Sequence, residues 1–276
     1  MTRKASIGKI ILYVFLIVVA IAEILPLLVA FSNSLRTNAD IKKSAIGFPG
    51  IPQFSNYITA WHVGRYGKAF LNSAIISVTT SLCVLALSLV GGYFLARVKS
   101  RFTHFVRGYF SVALSIPTFA FMVPVYFTFA ELKLVNTYRG MIILFIATNL
   151  GFNLILASTF IRGIPSGLDE AAIIDGCSTY QIIGKVILPL SKPIITTILL
   201  IVFVSTWNEF TLSNTFLQQT TLKTAATRYV LFCGERGSDL SLIYAAGIIT
   251  MLPIVVLFLL LQNYFIEGMT AGSIKE

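Results

Sequence analysis

Long runs of apolar residues constrain the fold of this chain more strongly than any other feature of its sequence. Four runs contain no charged residue: they are Ala69–Ala96, Gly108–Ala130, Gly140–Ile161 and Leu240–Ile266. There are two weaker runs. One is Ile10–Leu35, which is interrupted only by Glu23, and the other is Pro193–Asn208, which continues after Glu209 as Phe210–Leu222. A helix needs about 20 apolar residues to cross the hydrocarbon core of a bilayer. Each run is long enough, and we predict six transmembrane helices.

The composition excludes an ordinary soluble domain, since 56% of the residues are hydrophobic and only 12% are charged. We therefore predict an all-α polytopic membrane protein in which residues 1–276 form a single transmembrane domain. The first run has a basic start and an apolar centre, like a secretory signal peptide, but no small-residue cleavage site follows it. We interpret this run as a retained helix.

Six spans place both chain termini on the same side of the membrane. The totals of lysine and arginine on the two sides are nearly equal, so they do not assign the sides. The number of cations per residue in each segment does assign them by the positive-inside rule. Cations are concentrated in the N-terminal tail and in Arg97–Arg107, and they are sparse in Ser32–Lys68. We therefore predict a bacterial plasma (inner) membrane protein with cytoplasmic termini, a cytoplasmic segment Gly163–Lys192, and an external segment Glu209–Asp239. The net charge of +10 reflects this topology and contact with anionic lipids, and no pattern of basic and aromatic residues indicates nucleic acid.

Residues that bend or break helices occur inside several of the predicted spans. They are Pro26, Gly91, Gly92, Pro117, Pro124, Gly247 and Pro253. In lipid, the backbone groups that such residues free must be satisfied by neighbouring helices or by a water-filled cavity. Two interpretations stay open here: ordinary kinking with close packing, and bent helices that line a translocation path.

The polar segment 163–192 has the signals of two short helices. Ser166 is a suitable N-cap residue, and Asp169 stands at the position from which a capping box reaches back. Gly176 can adopt the left-handed conformation that ends a helix. Ser178, with Gln181 three residues later, then predicts the start of a second helix that stops near Pro189. Helices this short are marginal alone, so we expect them to pack against something.

The first of these helices also carries small and acidic residues near its turn. Ala171 and Ala172 would let a partner surface approach closely, and Glu170 and Asp175 supply negative charge. Together they predict a compact knob suited to a socket that contains a basic residue. An ordinary amphipathic connector is the alternative interpretation.

The string from Glu170 to Pro189, Glu-Ala-Ala-x-x-Asp-Gly-x9-Val-x-Leu-Pro, resembles the EAA loop of ABC-importer permeases. Over nearly its whole length the chain resembles the permease subunits of carbohydrate importers of the maltose type. Further matching segments are Asn72-Ser73, Gly92–Arg97, Ile116-Pro117, Val123-Pro124, Leu134–Thr137, Trp207–Phe210, Gln262, Gly268 and Gly272–Lys275. Val186 replaces the isoleucine that is usual in the loop, which is a conservative change.

The resemblance implies a transport subunit, not an enzyme, in an importer that moves a sugar or oligosaccharide by alternating access. The implied partners are a second homologous permease, two ATPase subunits, an external or periplasmic sugar-binding protein, and membrane lipids. ATP and Mg would be bound by the ATPase, and no cofactor is expected in this chain. Its Gly-Lys pairs, which begin at Gly8, Gly67 and Gly184, lack the Ser or Thr that a Walker A motif requires. The sequence does not determine the sugar.

The resemblance also assigns roles to residues of this chain. Coupling to the ATPase falls to Glu170, Ala171, Ala172, Asp175, Gly176 and Pro189. The tail 267–276 would enter the ATPase interface with Gly272 and Lys275. An outer loop would contact the binding protein through Cys233, Gly234, Glu235, Arg236 and Gly237. Candidates for the translocation path are Asn153, Trp207, Asn208 and Glu209, for which interhelical hydrogen bonds or, at Trp207, interfacial anchoring are the alternatives.

Two other classes of membrane protein fit the sequence less well. A secondary transporter usually carries ionisable groups near the bilayer midplane, and here only Glu23 lies clearly within a span. A membrane-embedded enzyme would need a nucleophile with its base or a metal cluster, yet His62 and His104 fall on opposite sides of the predicted topology. The three cysteines, Cys83, Cys177 and Cys233, share no ligand spacing. We expect neither a disulfide nor a metal site.

Overall fold

The structure is a computed structural model that describes residues 7–235 and 239–271. Within these ranges the chain forms helices and turns without any β-strand, which confirms the all-α prediction. In chain order the helices are α1 (Ile7–Ser34), α2 (Asn38–Lys43), α3 (Ser55–Val63), α4 (Tyr66–Arg97), α5 (Arg101–Ala113), α6 (Met122–Glu131), α7 (Tyr138–Arg162), α8 (Gly167–Ile174), α9 (Thr179–Leu190), α10 (Lys192–Asn208), α11 (Thr211–Phe216), α12 (Ala225–Glu235) and α13 (Leu240–Ala271). Short 3-10 turns, Thr118–Phe121 and Thr220–Leu222, precede α6 and α12.

Four of these helices are long and apolar enough to cross a bilayer by themselves. They contain the segments Gly8–Ser34, Tyr66–Arg97, Tyr138–Arg162 and Leu240–Gln262. Two sharply bent pairs reach the same length and apolarity only jointly: Arg101–Ala113 with Thr118–Glu131, bent by 91°, and Thr179–Leu190 with Lys192–Asn208, bent by 82°. The described residues thus hold four candidate spans, or six if each bent pair crosses once, and the second number corresponds to the six predicted spans.

Three of the predicted apolar runs have different bounds as helices. The third run is broken around Pro117, whose extended backbone separates α5 from the turn that precedes α6. The fifth run does not continue into Phe210–Leu222, because the helix ends at Asn208 and Glu209 is extended. The sixth helix extends beyond the predicted run, which ends at Ile266, and reaches Ala271. Apolar composition predicts which residues can lie in lipid, and it does not locate a bend within them.

Gly91 and Gly92 do not break α4, contrary to one of the two interpretations of the sequence. The helix runs through both, and a Cβ atom at Gly92 would lie only 2.8 Å from the Cβ of Ala157 in α7. A Cβ at Gly91 would lie 2.6 Å from Cδ1 of Leu154. Small residues at this crossing let the two backbones approach closely, as is common between membrane helices.

The described residues divide into two compact units. The first comprises residues up to Tyr66 together with Arg228–Leu252, and the second comprises Gly67–Thr227 and the chain from Pro253 onward. In the first unit, the apolar stretch of α1 has no buried residue. In the second, the buried side chains of Ile76, Met141, Phe145 and Phe216 join α4, α7 and α11.

Candidate functional site

The turn between α8 and α9 has the geometry that the sequence predicts. Gly176 has φ of +79°, in the left-handed region. Its N–H donates to the carbonyl of Ile173 at 2.9 Å, and the N–H of Cys177 donates to the carbonyl of Ala172 at 2.9 Å. These bonds satisfy carbonyl groups that would otherwise be orphaned at the helix end. The turn is therefore a fixed corner between two short helices.

The two predicted capping boxes of this loop have opposite outcomes. At the start of α9, the N–H of Ser178 donates to Oε1 of Gln181 at 2.7 Å, as predicted. The box predicted at Ser166 is wrong, because Ser166 is in a helical conformation and makes no side-chain capping bond. The Asp169 carboxylate instead accepts a charge-assisted hydrogen bond from Arg97, which is stronger than a bond to a neutral backbone N–H.

A buried ion pair fastens α8 to the end of a long helix. Nε of Arg97, the last residue of α4, donates to Oδ2 of Asp169 at 2.6 Å, and Nη2 donates to the carbonyl of Ile164 at 2.9 Å. The two side chains are only 15% and 10% exposed. The guanidinium thus holds both the start of the loop and its first helix. Sequence reasoning missed this pair, since 72 residues separate its members.

One face of the loop packs inside the second unit. Ala172, Ile182, Ile183 and Ile187 join a buried cluster whose members from α4 and α7 include Tyr93. Ala172 is therefore part of the chain's own core, and of the two alanines expected to meet a partner only Ala171 is exposed. The small side chain of Ala172 lets α8 pack closely against the residues of α4, α7 and α9 in this cluster.

The opposite face of the loop is exposed and combines apolar and acidic side chains. Ile173, Ile174 and Tyr180 are 62%, 85% and 80% exposed. None of these three was predicted; the exposed residues of the predicted coupling set are Glu170, Ala171, Asp175, Gly176 and Pro189. Large apolar side chains on a polar, well-anchored loop mark an interaction surface.

The four candidates for the translocation path do not share one surface. Trp207 is buried, with an edge-to-face contact to Phe70 at 5.4 Å and a stacked contact to Phe203 at 5.5 Å between ring centroids. Asn153 is also buried, and its amide donates to the carbonyl of Asn149 at 2.8 Å. Only Asn208 is exposed. Trp207 and Asn153 thus make packing and hydrogen-bond contacts within the chain, and their place on a translocation path stays a prediction.

Glu209 has a structural partner of its own. Its carboxylate accepts hydrogen bonds from the N–H groups of Leu212 at 2.7 Å and Ser213 at 2.8 Å. A carboxylate at this position accepts hydrogen bonds from the free N–H groups at the start of α11. Its negative charge also interacts favourably with the positive end of the helix dipole. This cap explains why the fifth run is interrupted at Glu209.

An apolar cavity that the sequence did not indicate lies beside the bend between α5 and α6. Its volume is about 910 Å³, and its lining includes Phe110, Met122, Phe129, Leu144 and Phe216. None of the four predicted path residues lines it. The cavity depends on the 91° bend at Pro117, and composition alone does not reveal a bend of that size.

The connector between α11 and α12 is held by hydrogen bonds to α4. The Asn72 amide donates to the carbonyls of Thr221 and Lys223 at 2.9 Å each, and Tyr138 Oη donates to Oδ1 of Asn72 at 2.7 Å. The N–H of Ala225 donates to Oγ of Ser73 at 2.9 Å. The Asn-Ser pair singled out in the sequence thus fixes the start of α12 against α4.

Two predicted contact segments lie partly outside the described residues. In the predicted binding-protein contact, Gly234 and Glu235 are not in a loop, because they are the last residues of α12. Arg236 and Gly237 lie outside the described residues, as do Gly272 and Lys275 of the tail. Cys233 is half-buried, and Gly268 falls within α13 rather than in a free tail.

Comparisons with known proteins place these features in a family. The family described as binding-protein-dependent transport system inner membrane component matches residues 88–271. The melibiose/raffinose/stachyose import permease protein of Bacillus subtilis (strain 168) is 34% identical over 94% of this chain and 94% of its own length. A probable starch degradation products transport system permease protein of Thermoanaerobacterium thermosulfurigenes is 28% identical, covering 99% of this chain and 100% of its own length.

A solved structure has the same fold. It is that of a bacterial ABC transporter involved in the import of the acidic polysaccharide alginate, and its matching chain gives a TM-score of 0.80 at 23% identity. The match covers 96% of this chain and 99% of that one.

Proposed function

We propose that this chain translocates a sugar or oligosaccharide. It belongs to the family of binding-protein-dependent transport system inner membrane components. It is thus a multi-pass permease subunit of an ABC importer rather than an enzyme. The support is the substrates for which its relatives are named, melibiose, raffinose and stachyose in one case and starch degradation products in the other. The sugar would be delivered by an external binding protein and released inward by alternating access.

The exposed face of α8 and α9 is the observation that carries the mechanism. Ile173, Ile174 and Tyr180 are held in water-accessible positions by an anchored loop, with Glu170 and Asp175 beside them. A surface of this kind is stabilised when a protein partner covers it. We assign that role to a separate ATPase, which binds ATP and Mg, and we place a basic residue of the ATPase opposite Glu170.

The path of the motion follows from how the loop is attached. Arg97 and Asp169 tie α8 to α4, and the hydrophobic face of α9 packs against the same unit. Helix α9 then leads through the 82° bend into α10. A displacement of the knob by the ATPase would therefore move α4 and α10 together. The complete importer would contain this chain, a second homologous permease and two ATPase subunits. Their concerted motion would open the pathway alternately to each side.

Two further contacts complete the proposed complex. We place the binding protein against the outer segment that holds Cys233, Gly234, Glu235, Arg236 and Gly237, of which Gly234 is exposed at the end of α12. We place the tail 267–276, with Gly272 and Lys275, at the ATPase interface. The extension of α13 to Ala271 supports this placement, since a helix gives the chain a fixed direction beyond the last span.

Replacing Glu170 by alanine is expected to weaken docking of the ATPase about a hundredfold, because loss of one member of a buried interfacial charge pair leaves the other unpaired. The measurement is uptake of a panel of labelled oligosaccharides into proteoliposomes that contain the complete importer and its binding protein. Glu131→Ala is the matched control, since Glu131 is an exposed acid at the end of α6. Normal uptake by the Glu170 variant would contradict the coupling role, and absence of any sugar uptake by the wild type would contradict the substrate class.

The proposed topology places both termini and the segment 163–192 in the cytoplasm. An impermeant maleimide, applied to intact cells or spheroplasts, is expected to label Lys42→Cys and to leave Ser178→Cys unlabelled until the membrane is opened. Both residues are exposed, so accessibility within the protein does not limit either reaction. The background lacks Cys83, Cys177 and Cys233, which are free and half-buried. Labelling of Ser178→Cys from outside would reverse the orientation.

A further inference from the structure

A set of large apolar side chains projects from the segment that follows α1 in the first unit. We call it the apolar rim; its members are Ile46, Phe48, Ile51, Phe54 and Ile58. Their exposed fractions are 72%, 93%, 78%, 66% and 64%. A soluble surface rarely shows so many large apolar side chains together without a partner to cover them.

The backbone that carries the rim is held rigidly against the end of α1. Ser32 Oγ donates to the carbonyl of Gly47 at 2.6 Å, and Nδ2 of Asn33 donates to the carbonyl of Ala45 at 2.8 Å. The nearly buried Arg36 donates from Nη1 to the carbonyl of Ser44 at 2.9 Å. The side chains of the rim are therefore exposed because these hydrogen bonds fix the backbone in this position, and not because the segment is loose.

The same attachment sets the depth of the rim relative to a bilayer. The bonds reach back to Ser32, Asn33 and Arg36, where the apolar span of α1 ends. The exposed apolar surface of the span continues to this end, with Leu28 and Phe31 58% and 52% exposed. The rim thus lies at the boundary between hydrocarbon and headgroups, which is where an interfacial segment buries its apolar side.

The charges beside the rim match an anionic headgroup layer. Lys42 and Lys43 are exposed in the last turn of α2, and the single acidic residue between Thr37 and Val63 is Asp40. Trp61, also partly exposed, is of the residue type that collects at membrane interfaces. A binding protein that docks and leaves would instead favour a more polar, wetter surface.

We propose that the apolar rim inserts into the headgroup boundary of the leaflet on the α2 side and that Lys42 and Lys43 bind anionic phospholipid headgroups there. The rim then acts as a lipid anchor that keeps the outer end of α1 at a fixed depth. This inference depends on the membrane location of the chain and not on the identity of the sugar or on the ATPase contact.

The test uses the complete importer in lipid nanodiscs, with an environment-sensitive fluorophore on Phe48→Cys or Ile51→Cys in the cysteine-free background. Brominated lipid is expected to quench both labels while aqueous iodide does not. The relative binding of brominated phosphatidylglycerol over phosphatidylcholine is expected to fall about fivefold for each lysine changed in Lys42→Gln and Lys43→Gln. Replacement of exposed side chains leaves the packed core of the first unit intact.

Three outcomes would overturn the proposal. Free quenching of the Phe48 label by iodide would place the rim in water. Protection of that label from both quenchers would place it against protein, namely the second permease. Protection that arises only after addition of the loaded binding protein would make the rim a docking surface for that protein.

Discussion

Asp169→Ala is expected to abolish ATP-driven uptake while the chain still inserts into the membrane. The change leaves the Arg97 guanidinium nearly buried without its counter-ion, and breaking one side of a buried ion pair costs roughly 3 kcal/mol or more. The pair holds α8 to the end of α4 at 2.6 Å, so its loss also displaces the exposed face that we propose docks the ATPase. The measurements are coupled ATP hydrolysis in proteoliposomes and the midpoint of thermal unfolding in detergent.

A pair of comparison variants separates the charge from the position. Asp169→Asn keeps a hydrogen-bond acceptor and is expected to lose less stability than Asp169→Ala. The double variant Arg97→Met with Asp169→Leu removes both charges, and buried pairs replaced in this way commonly recover the stability that a single change loses. If Asp169→Ala unfolds at the wild-type temperature and supports normal coupled hydrolysis, the ion pair has no role in holding the loop.

Gly176→Val is expected to uncouple ATP hydrolysis from transport through the backbone alone. Gly176 has φ of +79°, and an added Cβ would meet no atom within 4 Å, so steric contact contributes nothing. Left-handed backbone costs roughly 1–2 kcal/mol for an ordinary L-residue, whereas Asn visits it readily. A β-branched side chain is the least tolerant. The second helix of the loop would therefore start in a different direction, and the measurement is sugar uptake per ATP hydrolysed.

The controls for this position come from the same loop. Gly176→Asn is expected to retain most of the coupling, because Asn tolerates the left-handed conformation. Gly184→Ala is the control for replacing a glycine where no left-handed conformation is required. Gly184 lies inside α9 and, like Gly176, has open space around its Cβ position, but its φ is not positive. Equal uptake per ATP in Gly176→Val and Gly184→Ala would show that the corner at Gly176 does not transmit motion.

Local sequence signals predicted those parts of the site whose partners are close along the chain. The corner at Gly176 and the capping bond between Ser178 and Gln181 depend on residues within a few positions of each other. The failed capping box at Ser166 shows the limit of this reasoning. Its Asp169 had a local partner available, and a guanidinium from the end of α4 competed successfully for it.

The surroundings of the predicted path residues also depend on the tertiary structure. Trp207, Asn208 and Glu209 are consecutive and polar or aromatic, and this pattern favoured a shared role at one cavity. In the structure Trp207 packs between Phe70 and Phe203, Asn208 is exposed, and Glu209 caps α11. A helix end separates them, so neighbours in sequence point to different surroundings.

The sequence by itself determined that this chain is an all-α membrane protein, which segments are apolar enough to cross a membrane, and where the loop turns between α8 and α9. These features follow from the length of apolar runs and from backbone preferences, which are properties of short segments. Only the tertiary structure decided that Arg97 holds Asp169, that Ala172 belongs to the chain's own core, that Asn72 fixes the connector between α11 and α12, and that hydrogen bonds to the end of α1 hold the segment of the apolar rim. Each of these rests on contacts between groups that are distant in the chain or on the burial of one face, and the free energy of such contacts is set by which surfaces the folded helices bring together.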